Sequence, residues 1–271
     1  MATAQTLAVV DIPGLHHSPD AKDFADSQNV SNCLPQPEEQ PEISDTTLKN
    51  LGELFVRHDA HDAFGTHLLH AHFQVPEGNV LYGPQVQVSG NSESCWTKPV
   101  PAKELATKPI HGHVFHLQPN GAFVPYEFQE GEAPSKAAKV SKAFFQELAE
   151  FLHLNNLAGL IALQLLDGPR DRTNTELLVG PQGTLMMDTK DVLGLEPAQI
   201  TTGWFFQVGE DGVISCKGND VYAPKKNTHG VFQDSKPLPT LEALKAALLQ
   251  EGIIAERFRC SPHSRAWAAW N

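Results

Sequence analysis

Cysteine is scarce in this chain. Only four cysteines occur among 271 residues, tens of residues apart, and no two form a C-x-x-C pair. Disulfide frameworks and zinc ribbons depend on several cysteines at short spacings. The sequence therefore predicts neither kind of structure.

Basic charge and long apolar runs are also lacking. The chain carries 20 Lys and Arg against 32 Asp and Glu, a net charge of -12, and has no basic cluster. Such a balance repels phosphate backbones and anionic lipid headgroups. No run approaches the roughly 18 apolar residues of a membrane span, and no basic segment precedes the short apolar run near Met1. We expect a soluble, cytoplasmic protein with no secretory signal and no nucleic-acid or membrane partner.

Motifs of the commonest enzyme classes are missing. The sequence contains no G-x-S-x-G, G-x-x-x-x-G-K-[ST], G-x-G-x-x-G or H-E-x-x-H pattern. The sequence therefore does not predict a serine esterase, a P-loop enzyme, a dinucleotide-binding fold or a zincin. Cys216 and Cys260 have histidines nearby in sequence and are candidate nucleophiles, although a buried strand cysteine explains each more simply.

The composition is that of a globular protein, with 41% hydrophobic and 19% charged residues. Residues 17–44 differ, because they are rich in Ser, Asp, Asn, Gln, Pro and Glu and end in "LPQPEEQPEISD". Such a segment buries too little apolar surface to offset the entropy of ordering it. We therefore predict a flexible N-terminal arm over residues 1–44 and a single globular domain over residues 45–271.

Helical spacing of apolar residues predicts three helices. The first spans Asp45 to His58, and the second begins with Ser135 as its cap and covers "SKAAKVSKAFFQELAEFLHLNN". The third has Thr240 as its cap and Gly252 as its stop.

The remaining apolar runs are short and punctuated by turn residues, which is typical of strands. One hairpin is predicted to pair Thr66–Val75 with Asn79–Gly83. The predicted fold class is α+β, with mainly antiparallel sheets of short strands covered by two or three helices.

Histidine is the residue that stands out. Five of the thirteen lie in "RHDAHDAFGTHLLHAHF", residues 57–73. On a strand, His70 and His72 would share a face about 7 Å apart, close enough to bind one metal ion. His67 would lie on the opposite face, and His58 would be an ordinary helix-end residue.

A second H-x-H pattern occurs in "HGHVFHL". Here His111 and His113 share one predicted face and His116 takes the other. If both strands are neighbours, three or four imidazoles meet. Such a set suits a transition metal, namely Zn, Fe, Mn, Cu or Ni.

The first histidine pair resembles the first cupin motif. Gly65, His70, His72, Glu77 and Gly83 follow that motif's order, although both glycine spacings are one residue short. The resemblance implies that His70, His72 and Glu77 are metal ligands. A second motif would supply a fourth ligand, and the nearest match is "PKKNTHGVFQ" with His229, where Lys226 and Gln233 replace the expected glycine and asparagine.

The chain is also similar, over most of residues 46–190, to uncharacterised filamentous-fungal proteins with an L-L-H-x-H-F signature. In this sequence the signature is Leu68 to Phe73. The similarity implies no activity, but it draws attention to His61 beside His70 and His72.

Charged residues are concentrated in "LLDGPRDRTNTELLVG". Asp167, Arg170, Asp171, Arg172 and Glu176 are predicted to form a solvated loop. The alternative is that they bind a polar ligand or orient a base. The tail tryptophans Trp267 and Trp270 either seal the edge of the core or close over a pocket.

The leading hypothesis is a soluble metal-dependent enzyme that acts on a small-molecule substrate. His70 and His72 are its central ligands, and His61, Glu77 or His113 completes the set. Hydrolytic and oxidative chemistry both remain open. One alternative is a non-catalytic binding protein with hydrogen-bonded structural histidines, and another is a metal-free enzyme that uses a histidine as general base.

Overall fold

The structure is a computed structural model that describes residues 11–36, 41–89, 92–194, 200–222, 232 and 237–255. Among these residues, no helix combines the length and the apolar character needed to cross a bilayer.

Eleven strands form one sheet in the described chain. They are β1 (Phe64–Leu68), β2 (Asn79–Gly83), β3 (Gln85–Val86), β4 (Ser94–Pro101), β5 (Ile110–Leu117), β6 (Phe123–Glu130), β7 (Ile161–Leu165), β8 (Asn174–Leu178), β9 (Thr184–Asp188), β10 (Ile200–Val208) and β11 (Ile214–Tyr222). Ten of the strands close into a barrel in the order β2-β6-β5-β7-β1-β10-β11-β8-β9-β4, and β3 pairs with β4.

Strand β4 closes the ring because it pairs with a different neighbour along each half. Its residues 95–97 pair with β9, and its residues 98–101 pair with β2. Most neighbours are antiparallel, but β2 and β6 are parallel, as are β8 and β11. The predicted α+β class is thus confirmed in outline, with a closed barrel in place of a simple antiparallel sheet.

Six α-helices accompany the strands in the part of the chain that the structure describes. They are α1 (Ala21–Asn32), α2 (Asp45–Arg57), α3 (Ala102–Leu105), α4 (Ser135–Ala138), α5 (Lys142–Leu154) and α6 (Leu241–Gln250). Their apolar residues pack against the outer surface of the barrel, and this arrangement leaves the inward-facing strand positions free to carry polar side chains.

The largest apolar cluster lies under α2 and α5. Phe55 on α2 and Phe144 on α5 have ring centroids 5.0 Å apart, and Phe206 on β10 lies 4.9 Å from Phe55. All three side chains are fully buried. This aromatic contact joins both helices to the same side of the barrel.

Two of the three smaller apolar clusters of the described residues lie under α1 and α6. Phe24 of α1 packs against Phe128 of β6, with ring centroids 5.5 Å apart. Leu244 and Leu248 of α6 are buried in a cluster that includes Trp96 of β4. Burial of Leu244 and Leu248 and the positive φ of Gly252 confirm the predicted last helix and its stop.

The predicted flexible arm is wrong for residues 11–36. Asp20 caps α1 by accepting hydrogen bonds from the backbone N–H groups of Lys22 and Asp23. Phe24 and Val30 of this helix are buried. The low average hydrophobicity hid them, because a few well-spaced apolar residues are enough to bind an amphipathic helix to a larger body.

The predicted hairpin is also wrong. β1 ends at Leu68 and pairs with β7 and β10, whereas β2 pairs with β4 and β6. Alternation and turn residues describe single strands well, but they do not reveal which strands become neighbours.

The second predicted helix divides into two. Ser135 begins the short α4, and Ser141 caps α5 by accepting a hydrogen bond from the backbone N–H of Phe144. The first predicted helix is confirmed as α2, with Ser44 as its cap and His58 at its C-terminal end.

We predict that Phe144→Ala lowers the free energy of unfolding by about 3–5 kcal/mol, because it leaves a cavity in the packed aromatic cluster. Leu154→Ala on the same helix is the control, since Leu154 is 83% exposed. The control should change stability by no more than about 0.5 kcal/mol. Urea unfolding measures both variants, and equal small losses would contradict the assigned core.

Candidate functional site

His70 and His72 lie in the irregular segment that follows β1. The Leu69 N–H donates to the carbonyl oxygen of Leu160, and the Ala71 N–H to that of Pro35, so the chain leaves the β1 ladder here. The His70 Nδ1–H donates to the Leu68 carbonyl oxygen at 2.6 Å. The rings of His70 and His72 meet edge to face with centroids 4.5 Å apart.

His67 does not lie on an opposite face, contrary to the prediction. Its ring stacks against that of His70 with centroids 5.4 Å apart. Strand alternation stops applying once the chain leaves the extended ladder after Leu68.

Glu176 completes a buried group with the histidine pair. His72 Nε2 lies 2.9 Å from Glu176 Oε1, and His70 Nε2 lies 3.2 Å from Oε2. One candidate ligand atom from each of these residues lies within 4.8 Å of the other two. Because tetrahedral ligands about 2.0–2.1 Å from zinc lie roughly 3.4 Å apart, the group can hold a metal ion with small shifts.

The electrostatics of this group depend on Glu176. Burial opposes its charge, but the facing His72 and His70 hold the pKa of Glu176 well below its usual range. Burial likewise opposes the charge of His70, yet the Glu176 carboxylate raises the pKa of His70. Burial lowers the pKa of His72 and lowers that of His67 to about 3. The site therefore combines one carboxylate with imidazoles of unequal basicity.

A small cavity adjoins the pair. Its volume is about 20 Å³, and its lining includes His70, His72, Tyr126 and Glu127. A water molecule needs at least about 10–15 Å³ of such space, so the cavity has room for one water or one ion. Burial and the charge of Glu176 raise the pKa of Glu127 to about 8.

The barrel interior holds a second, larger cavity with a volume of about 90 Å³. Its lining includes His67, Glu127 and Glu176. Glu127 also lines the small cavity, and Glu176 belongs to the group with His70 and His72. We call the larger cavity the lumen. Its remaining polar lining comes from strands around the ring and includes Cys95, Thr97, His113, Gln129, Gln164, Asn174, Thr184, Asn219 and Asp220.

Asp220 organises the amide side chains of the lumen. It is only 1% exposed, and its carboxylate accepts hydrogen bonds from Gln164 at 2.8 Å, Asn174 at 3.0 Å and Asn219 at 3.2 Å. Burial raises the pKa of Asp220, while the Asn174 and Gln164 donors act against that rise. The carboxylate thereby sets which way the three amides face.

The predicted solvated loop is exposed at Asp167 and Asp171, as expected, but it also forms part of the lumen wall. Asp167, Arg170 and Arg172 line the lumen, and Glu176 lies inside β8 and is only 5% exposed. Asp171 is exposed and lines an outer groove. Glu176 could have been singled out from the sequence, because it is an acidic residue within the apolar run "TELLVG". Such a run predicts a buried strand better than a solvated loop.

The other proposed ligands lie apart from the buried group. His61 Nε2 is 4.0 Å from the Asp62 carboxylate, and Glu77 is exposed on a turn. His113 lines the lumen with its Nδ1 3.6 Å from Asp167 Oδ2. Neither they nor any other described residue joins the three members of the His70–His72–Glu176 group.

The second H-x-H strand is interrupted. The register of β5 against β6 shifts between Gly112 and Val114, so His113 occupies a bulge. The ring of His111 accordingly bonds elsewhere, to the Gly131 carbonyl oxygen at 3.0 Å. A bulge breaks the alternation on which the prediction of a shared face rests.

The cysteine nucleophiles find no support in the described residues. Burial raises the pKa of Cys216 to about 11 and that of Cys95 to about 12, so both are thiols at neutral pH. Cys260, His229, Trp267 and Trp270 lie outside the described residues.

Comparison of the chain with protein-family models, curated proteins and solved structures gives no match. The case for a function therefore depends on the geometry of the buried group and the lumen.

His116 provides a pH-dependent prediction away from the buried group. Burial lowers its pKa to about 4, and its Nδ1 accepts a hydrogen bond from Gln118 at 2.7 Å. The folded protein thus keeps this ring neutral, whereas the unfolded chain protonates it below about pH 6.5. Stability should fall as the pH falls from about 6.5 to about 4, because the unfolded state then binds more protons.

His116→Gln should reduce that acid-induced loss by about 1–2 kcal/mol, since glutamine does not titrate. Urea unfolding of both proteins across this pH range measures the difference. Parallel pH profiles for the variant and the original protein would contradict the assignment.

Proposed function

We propose that this protein is a metal-dependent enzyme that acts on a small molecule, with the metal bound by His70, His72 and Glu176. The observation that carries the proposal is the convergence of these three side chains at a buried point beside a polar cavity. Buried charged and polar groups at a cavity wall are costly for stability, and they mark functional sites for that reason.

The donor set fits a transition metal. Two imidazoles and one carboxylate are ligands found in catalytic zinc sites and in non-haem iron sites. The hydrogen bond from His70 Nδ1 to the Leu68 carbonyl oxygen leaves Nε2 facing Glu176, as a ligand nitrogen requires. Two imidazoles and a carboxylate are also compatible with Mn, Cu and Ni.

A metal held by these residues would supply Lewis-acid or oxidation chemistry. The protein's own residues would then determine what reaches the metal. His70, His72 and Glu127 line the small cavity, and Glu127 also lines the lumen. Because it borders both spaces, we assign to Glu127 the transfer of a proton between the buried group and a molecule in the lumen.

The environment of Glu127 is compatible with this role. Without a metal, burial and the charge of Glu176 raise its pKa to about 8, and a bound cation would lower the pKa toward the range in which a general base works at neutral pH. In the sheet, Glu127 is paired with Leu81 of β2 on one side and with Val114 of β5 on the other. It therefore lies within the barrel wall and not on a loop.

A metal-free role for the group is the second candidate. Glu176 raises the pKa of His70, and a charged His70 paired with the Glu176 carboxylate satisfies the buried charge without a metal. In that case the histidines are structural, or one of them acts as a general base. Metal content separates the two candidates.

We expect protein purified without a histidine tag to contain stoichiometric transition metal by elemental analysis. Glu176→Gln should lower metal affinity by more than the roughly 10–100-fold that loss of an outer-sphere partner costs, because it removes a charged ligand. Glu147→Gln is the matched control, since Glu147 pairs with His58 at 2.6 Å on the surface. It should leave metal content unchanged.

Chelation should also lower the melting temperature, because a metal that binds only the folded state stabilises it. Metal-free protein that gains neither metal nor stability on incubation with Zn²⁺, Fe²⁺, Mn²⁺, Cu²⁺ or Ni²⁺ would contradict the metal proposal and favour the structural pair.

The proposed role of Glu127 predicts a separate behaviour. A panel of esters, lactones and oxidisable alcohols identifies any turnover that chelation abolishes. On a substrate found in this way, Glu127→Gln should retain the metal and lower turnover by about 10²–10⁴-fold. Glu130→Gln, an exposed residue on the same strand, is the control. Equal turnover in Glu127→Gln and the unchanged protein would rule out proton transfer by Glu127.

A further inference from the structure

Several buried polar atoms around the lumen have no hydrogen-bond partner. In the described part of the chain, these include His67 Nδ1, His113 Nδ1, Gln164 Oε1, Asn219 Oδ1 and Arg172 Nε. All five residues line the same cavity, and His67 and Gln164 are only 8% and 6% exposed. A buried polar atom without a partner costs about 1–3 kcal/mol, so five at one cavity require an explanation.

The orientation of the two amides explains part of this pattern. Gln164 and Asn219 both donate their NH₂ groups to Asp220, so their carbonyl oxygens remain as acceptors. Arg172 Nε–H can only donate. The lumen therefore presents at least two fixed acceptors and one fixed donor, together with imidazole nitrogens that take either role.

Hydroxyl groups match this mixture because each one both donates and accepts. An ammonium group donates only, and it would leave the Arg172 donor unsatisfied. A carboxylate or phosphate would meet the buried carboxyl groups of Glu176 and Asp220, and the lining Arg170 is already paired with Asp62 at 2.7 Å. The arrangement thus favours a neutral ligand with several hydroxyls.

The cavity also offers apolar surface for the carbon skeleton of such a ligand. Val114, Met186 and Phe205 line it among the polar residues. The loop with Asp167 and Arg172 lines both the lumen and an outer groove, so it lies between the cavity and the surface.

We propose that the lumen binds a small neutral polyol or sugar, held by Gln164, Asn219, His113 and Arg172. Binding itself does not need the metal, whereas the identification of this ligand as the substrate rests on the proposed function. The hydroxyl nearest Glu127 and Glu176 would then face the metal group.

Titration calorimetry with erythritol, xylitol and ribose tests the proposal, with 1,4-diaminobutane and succinate as charged comparisons. The protein is used both as purified and after chelation. His113→Leu and Arg172→Met should each weaken polyol or sugar binding by about tenfold, since each removes one hydrogen bond in a confined site. His116→Gln is the control, because His116 lies on the same strand as His113 but does not line the lumen.

Thermal unfolding of His113→Leu without ligand shows whether this variant is folded. Because His113 Nδ1 makes no hydrogen bond and has only a 3.6 Å contact with the Asp167 carboxylate, the substitution should lower the melting temperature little. If His113→Leu does not fold, Arg172→Met on the loop decides the result.

Binding of erythritol, xylitol or ribose that weakens in these variants and persists in His116→Gln supports the proposal. Binding of the diamine or of succinate alone would overturn it, and so would a lumen that binds none of the probes and holds only water. Polyol or sugar binding to protein that takes up no metal would support the lumen site and contradict the proposed function. Metal uptake without polyol or sugar binding would support the proposed function and contradict the lumen site.

Discussion

The buried negative charge inside the barrel is the constraint on which the rest of the interior depends. Glu176 and Asp220 are both about 95% or more buried, and an isolated carboxylate in such a place would be very unfavourable. Each is stabilised differently. Two histidines face Glu176, whereas three amide donors surround Asp220. The positions of His70, His72, Gln164 and the two asparagines follow from these requirements.

A polar interior is possible because the apolar surface is buried on the outside. Helices α1, α2, α5 and α6 contribute to apolar clusters that cover the barrel, and the fully buried phenylalanines belong to these clusters. Small barrels usually fill their interiors with apolar side chains, whereas wider ones enclose ligand cavities. With ten strands in its ring, this barrel has a cavity of about 90 Å³ and polar groups directed at it. The apolar clusters and the polar cavity thereby lie largely on opposite faces of the same strands.

Glu127 connects the two parts of the interior. It lines both the small cavity beside the histidines and the lumen, and burial near Glu176 favours its neutral form. A metal at the His70–His72–Glu176 group would change this balance, because a cation favours nearby carboxylates in their charged form. The buried group, Glu127 and the lumen therefore form one electrostatic unit, in which a bound metal would compete with protons for the same carboxylates.

The sequence by itself determined the local elements, namely helices α2 and α6 with their caps and most of the strands, and it singled out His70 and His72 as candidate ligands. These follow from spacing, turn residues and capping, which act over a few residues. Only the tertiary structure decided the strand order, the closure of the barrel through β4, and the pairing of His70 and His72 with Glu176, more than one hundred positions away. It also set Glu77 on an exposed turn and placed His113 in a β-bulge. Side chains from distant strands meet only when the ring closes, and no local pattern records which strands become neighbours.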